Sequence, residues 1–144
     1  MSSDLRRAAD TAAALARAFA CPLRTDPGLR EVDVGLWEGL TRAEAEARFP
    51  EEYRRWAGGA DIRRGGGETL AEAGRRVADR VQDALAGPPG GVPLVVVGHG
   101  MALQAAMGEL RDRACVVFAG EPPHLGNARW LALTGPGGGP PPIG

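Results

Sequence analysis

An apolar run, Leu94-Val95-Val96-Val97, leads directly into Gly98-His99-Gly100 and then into a helical pattern from Met101 to Leu110. Successive β-branched residues favour extended backbone, and a run without polar alternation is what a strand covered on both faces requires. A strand that passes through glycine straight into a helix is the local unit of an α/β layer architecture. In open sheets of that kind, ligands gather at the carboxyl ends of the strands, where His99 stands. Gly100 would let backbone approach such a ligand closely. A hydrogen-bonded structural histidine would fit the same place, so the tripeptide alone decides little.

Helical periodicity extends on both sides of this unit. Leu5, Ala8, Ala12, Leu15 and Phe19 recur at three- and four-residue steps. That spacing predicts a helix over Asp4–Ala20 with one apolar stripe, Ser3 as its N-cap and an Arg6–Asp10 pair on the exposed side. Pro22 stops its continuation, and Leu23 to Val34, interrupted by Pro27-Gly28, reads as extended or looped. Thr41-Arg42-Ala43-Glu44 and Thr69-Leu70-Ala71-Glu72 match capping boxes and open two further helices. The first ends at Pro50, with another turn or two over Glu51 to Trp56. The second buries Leu70, Ala73, Val77, Val81, Ala84 and Leu85, and a Gly/Pro cluster from Gly87 ends it. Gly58-Gly59 and Gly65-Gly66-Gly67 are predicted to bracket a flexible surface loop. Ala128 to Thr134 reads as a late strand, and the tail from Gly135, all Gly and Pro apart from Ile143, is predicted to be disordered.

A chain of 144 residues fits one domain, here residues 1–134 with a tail at 135–144. Its formal net charge of −1 leaves no basic stripe for nucleic acid. Every cationic side chain is arginine, most of them expected on solvated helix faces. Cys21 and Cys115 stand apart, so neither a metal site nor a disulfide framework is indicated. No apolar stretch approaches the ~18 residues of a membrane span, and no signal peptide precedes the first helix. A soluble, cytoplasmic protein without metal or cofactor is expected.

Two further side chains suit an anion site. Arg7 lies in the first turns of a helix, behind Ser2-Ser3-Asp4, where free backbone amides and the helix dipole favour negative charge. Glu31, in Leu29-Arg30-Glu31-Val32-Asp33-Val34-Gly35-Leu36-Trp37-Glu38-Gly39, could serve as a general acid beside a phosphate. Asp33 and Glu38 compete for that role. Each residue also has a plain structural reading, as a surface helix arginine or a loop carboxylate paired with an arginine.

Taken in order, SSDLRRAADTA, LREVDVGLWEGLT, GGGETLAEAGRRV and LVVVGHGMAL resemble the histidine phosphatase superfamily, the phosphoglycerate mutase-like proteins. The likeness extends to Leu125-Gly126-Asn127-Ala128 before the late strand and covers nearly the whole chain up to the tail. It implies a three-layer α/β/α fold and phosphoryl chemistry through a phosphohistidine on a phosphorylated small molecule, with a homodimer possible. By motif position it gives Arg7 and Gly100 to substrate binding, His99 to the second, phosphate-steadying histidine, and Glu31 to the proton donor.

The sequence departs from that family in one respect: no Arg-His-Gly occurs in it. That motif supplies the family's nucleophilic histidine, and the first family strands are missing with it. His124 follows Pro122-Pro123 and lacks a strand-end setting, so it reads as an exposed loop residue. The resemblance therefore implies the C-terminal part of a phosphatase, inactive alone, with Val95 to Val97 on an open sheet edge. A non-catalytic phosphate-binding or interaction module is the alternative. An α/β-hydrolase has no support, because no GxSxG elbow is present. The short segment from Thr41 to Gly67 looks more like a broad phosphatase than a cofactor-dependent mutase.

Overall fold

The computed structural model describes residues 1–86 and 93–115. The late strand, His124 and the Gly/Pro tail fall outside the described residues. Among the described residues five α-helices follow one another: α1 (Arg6–Ala18), α2 (Arg42–Arg48), α3 (Pro50–Ala57), α4 (Leu70–Leu85) and α5 (Gly100–Asp112). Short 3-10 turns at Pro27–Leu29, Gly35–Trp37 and Arg64–Gly66 shape the connections. Among the described residues no helix is long and apolar enough to cross a membrane.

The core lies between α4 and α5. Ala73, Val77, Ala78 and Val81 of α4 meet Ala102, Ala106 and Leu110 of α5, with Leu29 and Val32 closing the cluster. Small residues let the two helices approach closely: a Cβ on Gly74 would lie 2.9 Å from the Ala105 backbone. Both capping boxes form, Thr41 with Glu44 and Thr69 with Glu72, so α2 and α4 start where the sequence predicts. On α4 the buried face is narrower than the periodicity suggests, since Leu70 and Leu85 stay exposed.

Helix α1 begins later than expected, at Arg6, with Leu5 as N-cap and no capping side chain. The Ser3 hydroxyl stands too early in the chain to cap it: it accepts the Leu5 amide at 3.2 Å and also meets His99. Of its apolar stripe, Ala8 and Ala12 are buried, whereas Phe19 is 72% exposed. The Arg6–Asp10 pair forms at 3.4 Å.

Three extended segments lie side by side, linked by parallel bridges at Ser2. Ser2 pairs with Thr25 on one side and Val97 on the other. The Ser3 amide donates to the Val97 carbonyl at 2.9 Å and the Val97 amide to the Met1 carbonyl at 3.0 Å. The Ser2 amide donates to the Arg24 carbonyl at 2.9 Å. The strand expected over Leu94–Val97 is thus an extended segment joined at one bridge. It is not covered on both faces: Val95 is 52% exposed.

The glycine-rich loop also differs from expectation. Gly65 and Gly67 dock against the Gly35–Trp37 turn so closely that a Cβ on Gly35 would lie 2.2 Å from the Gly65 carbonyl oxygen. Gly35 has φ +53°, which only glycine adopts freely. The loop is a packed joint, not a free tether. Beside it Trp37 gathers Phe49, Tyr53 and Trp56, with ring centroids 6.2, 6.1 and 5.7 Å away.

Candidate functional site

Parallel pairing of Ser2 with Val97 decides what meets here. Both segments run the same way, so Ser3-Asp4 and Gly98-His99 leave from one end. Each then enters a helix, α1 after Asp4-Leu5 and α5 after His99. Arg7, on the first turn of α1, is thereby carried to the imidazole that precedes α5.

His99 is 6% exposed, and both its ring nitrogens are engaged. Arg7 Nε donates to Nδ1 at 3.2 Å, and Nε2 lies 2.9 Å from Ser3 Oγ. A guanidinium keeps its protons, so Nδ1 is the acceptor and the ring proton sits on Nε2, donating to Ser3. Burial, seconded by the Arg7 charge, holds the His99 pKa below the ordinary histidine value, against a smaller opposing pull from Glu31 and Asp4. The ring is neutral at pH 7, with one N–H to give. Arg7 itself is exposed, and among the described residues only its Nε is hydrogen-bonded. Its two terminal amino groups remain open to an anion.

Glu31 arrives from the segment after the Pro27–Leu29 turn. Its carboxylate accepts the Ala102 amide at 2.9 Å and the Met101 amide at 3.4 Å. It therefore takes the place at the N-terminus of α5 that an incoming anion would use. Gly100, the first residue of α5, is exposed beside it. Arg7, His99, Glu31 and Gly100 are thus brought together. Asp33 and Glu38 are not part of this group: the Asp33 carboxylate accepts the Gly35 amide at 2.7 Å, and Glu38 lies exposed after the Gly35–Trp37 turn.

Three supporting contacts were not read from the sequence. Ser3 holds His99, as above. Asp4 takes a fork from Arg30, at 2.7 and 2.5 Å, whose hydrogen bonds hold the Asp4 carboxyl below the usual carboxylate range. Glu68 takes a second fork from Arg76, at 2.8 and 2.7 Å. The same guanidinium donates to the carbonyls of Gly28, Arg30 and Glu31, at 2.9, 3.2 and 3.4 Å. Glu68 and Arg76 stand in the GGGETLAEAGRRV motif, but nothing local ties them to Glu31. Among the described residues no three His, Cys, Asp or Glu side chains are placed to hold a metal ion.

The family model described as histidine phosphatase superfamily (branch 1) matches residues 1–140. A glucosyl-3-phosphoglycerate phosphatase of Mycobacterium tuberculosis is 36% identical over 145 residues, covering 94% of this chain and 63% of that protein. The bifunctional protein Rv2228c of the same organism is 45% identical over 99 residues, 69% of this chain and 27% of its own length. Among solved structures, the mycobacterial glucosyl-3-phosphoglycerate phosphatase Rv2419c complexed with inorganic phosphate superposes with a TM-score of 0.68 at 36% identity, over 76% of this chain and 56% of that one. Bacillus stearothermophilus YhfR gives a TM-score of 0.62 at 26% identity, over 77% and 55%. The chain therefore spans less than two thirds of the length of each of these relatives.

Proposed function

The chain belongs to the histidine phosphatase superfamily and has its α/β fold, and from that premise we propose that Arg7, His99 and Gly100 bind the phosphate of a small phosphomonoester, with Glu31 as the proton donor beside it. The observation that carries this reading is the Arg7–His99 contact at 3.2 Å, set against a helix N-terminus where Glu31 meets the Met101 and Ala102 amides. A forked cation and a neutral N–H donor form one set of donors for phosphoryl oxygens, and the first-turn amides of α5 hold the Glu31 carboxylate beside it. On binding, phosphate would take over the His99 Nε2–H from Ser3 and the open amino groups of Arg7.

In the whole protein the reaction would be hydrolysis through a phosphohistidine. A second, neutral imidazole attacks phosphorus in line, and the P–O bond to the substrate alcohol breaks. Glu31 gives the leaving oxygen a proton, and water then cleaves the P–N bond to release inorganic phosphate. The nucleophile belongs to an Arg-His-Gly motif, which this sequence does not contain. The chain as given would then bind phosphate without turning over a phosphomonoester. Its likeness to glucosyl-3-phosphoglycerate phosphatase points to an organic phosphate with a small carbon skeleton.

Thermal unfolding with inorganic phosphate or orthovanadate tests the binding. At about one hundred times Kd, stability should rise by about 2.7 kcal/mol, and Arg7→Ala should lose that gain. No stabilisation of the unmodified chain would remove the reading. With p-nitrophenyl phosphate the chain should show no turnover; hydrolysis accompanied by an acid-labile phosphohistidine would overturn the missing-nucleophile claim. Binding without turnover is also what a non-catalytic phosphate-binding module would give. Restoring turnover with a segment carrying Arg-His-Gly separates the two.

A further inference from the structure

The phosphate site depends on a cation that no carboxylate neutralises. Among the described residues Arg7 makes no ion pair, although two carboxylates act on the same imidazole that it meets, those of Glu31 and Asp4. Either could turn to Arg7 and occupy the amino groups that an anion needs. Glu31 is kept away by backbone: its oxygens accept the Val32, Ala102 and Met101 amides at 3.0, 2.9 and 3.4 Å. Asp4 stands three residues ahead of Arg7 and directly after Ser3, which touches His99. A side chain, Arg30, keeps it away.

Arg30 Nε and Nη2 reach the two Asp4 oxygens at 2.7 and 2.5 Å, one oxygen each. Backbone sets both ends of this fork in advance. The Asp26 amide donates to the Ser2 carbonyl at 2.8 Å, two residues ahead of Asp4. The Arg30 amide donates to the Pro27 carbonyl at 3.1 Å, and Arg76 holds the Arg30 carbonyl at 3.2 Å. The Arg30 side chain is 52% exposed. An ion pair so open to water contributes little to stability, and its effect lies in which partner Asp4 takes. A planar fork placed by its backbone outcompetes an arginine whose Nε is already committed to His99 Nδ1.

We propose that Arg30 is a positioning residue of the phosphate site: by taking both oxygens of Asp4 it keeps that carboxylate off Arg7 and leaves the Arg7 amino groups to the phosphate. It acts through Asp4 and not on the ligand. Without it, Asp4 pairs with Arg7, draws its Nε from His99 and competes with the entering anion. The identity of the ligand rests on the phosphate-site reading; the choice of Asp4 between two arginines does not.

Calorimetric titration with inorganic phosphate tests this on Arg30→Gln, Asp4→Asn and the double variant. Arg30→Gln should weaken binding about tenfold, as the loss of one charge-assisted contact does. Adding Asp4→Asn should restore the binding of the unmodified chain, and Asp4→Asn alone should not weaken it. A fork that served only to hold the fold would give the opposite pattern, with all three variants equally impaired. If circular dichroism finds Arg30→Gln unfolded, Arg30→Lys, with one contact in place of a fork, should show the same pattern at smaller size. Nitrogen NMR of the imidazole reads the same exchange without phosphate: the hydrogen-bonded His99 Nδ1 resonance should be lost in Arg30→Gln and return in the double variant. Unchanged binding and an unchanged Nδ1 resonance in Arg30→Gln, or a double variant no better than the single one, overturns the role of Arg30. Failure of the phosphate site alone reads differently: no variant then binds phosphate, while the Nδ1 resonance still follows Arg30.

Discussion

His99 shows how one residue's surroundings set both its chemistry and its cost. Burial and Arg7 hold its pKa below the ordinary value of 6.5 in the folded chain. As pH falls through 6.5, the unfolded chain takes up a proton that the folded chain refuses, so stability is lost progressively down to the lowered folded value. The loss is at most about 1.4 kcal/mol per pH unit. Melting temperature measured from pH 8 to pH 5 should therefore fall more steeply in the unmodified chain than in His99→Gln; parallel curves would refute this. Arg76 works at the same scale through geometry. One guanidinium forks onto Glu68 and reaches three carbonyls around Glu31, which an ammonium cannot reproduce. Arg76→Lys should lower stability by about 2 kcal/mol in urea denaturation and, by displacing Glu31, quicken hydrogen exchange at the Met101 and Ala102 amides it accepts. A variant unchanged in both would deny the clamp.

Elements were legible where their determinants are local. Thr41 with Glu44 and Thr69 with Glu72 mark helix starts because the capping residues lie three apart in sequence. Ser3 reads as a cap, and its hydroxyl does accept the Leu5 amide at 3.2 Å, but it also meets an imidazole 96 residues away, which no local rule reports. The triple glycine misleads in another way. Composition marks Gly65-Gly66-Gly67 as flexible, whereas the absence of side chains serves the close docking of two turns. A Cβ at Gly35 meets the Gly65 carbonyl at 2.2 Å and sits on a backbone with φ +53°. Gly35→Ala should therefore cost about 2–3 kcal/mol, more than the about 1 kcal/mol expected for Thr69→Ala at the α4 cap. Chemical denaturation of the two variants orders these costs, and a reversed order would return the loop to its flexible reading.

At the scale of the whole molecule, site and core depend on different kinds of contact. Ordered motifs made Arg7, Glu31 and His99 readable together, because each sits at the end of an element the sequence marks. The extent of the sheet was not readable, since hydrophobic pattern reports a strand's preference and not how many neighbours it has. Val95 to Val97 has the composition of a central strand, yet Val95 is 52% exposed and Ser2–Val97 is a single bridge. The α4–α5 pair is continuous and buried over several turns, so its amides can open only when the core opens. The amides of Ser3 and Val97, bonded to Val97 and Met1 carbonyls at 2.9 and 3.0 Å, can be released by local separation of the extended segments. Hydrogen exchange should therefore protect Val77, Ala78 and Ala106 well above Ser3 and Val97. Phosphate should slow exchange at Ser3 and Met101 while leaving Val77 unchanged under conditions where only local opening is sampled, because the ligand ties together the ends of elements and not their middles. Equal protection of Val97 and Val77 without ligand would mean that the extended segments belong to the same cooperative unit as the helical core, and the site would then be as rigid as the scaffold beneath it.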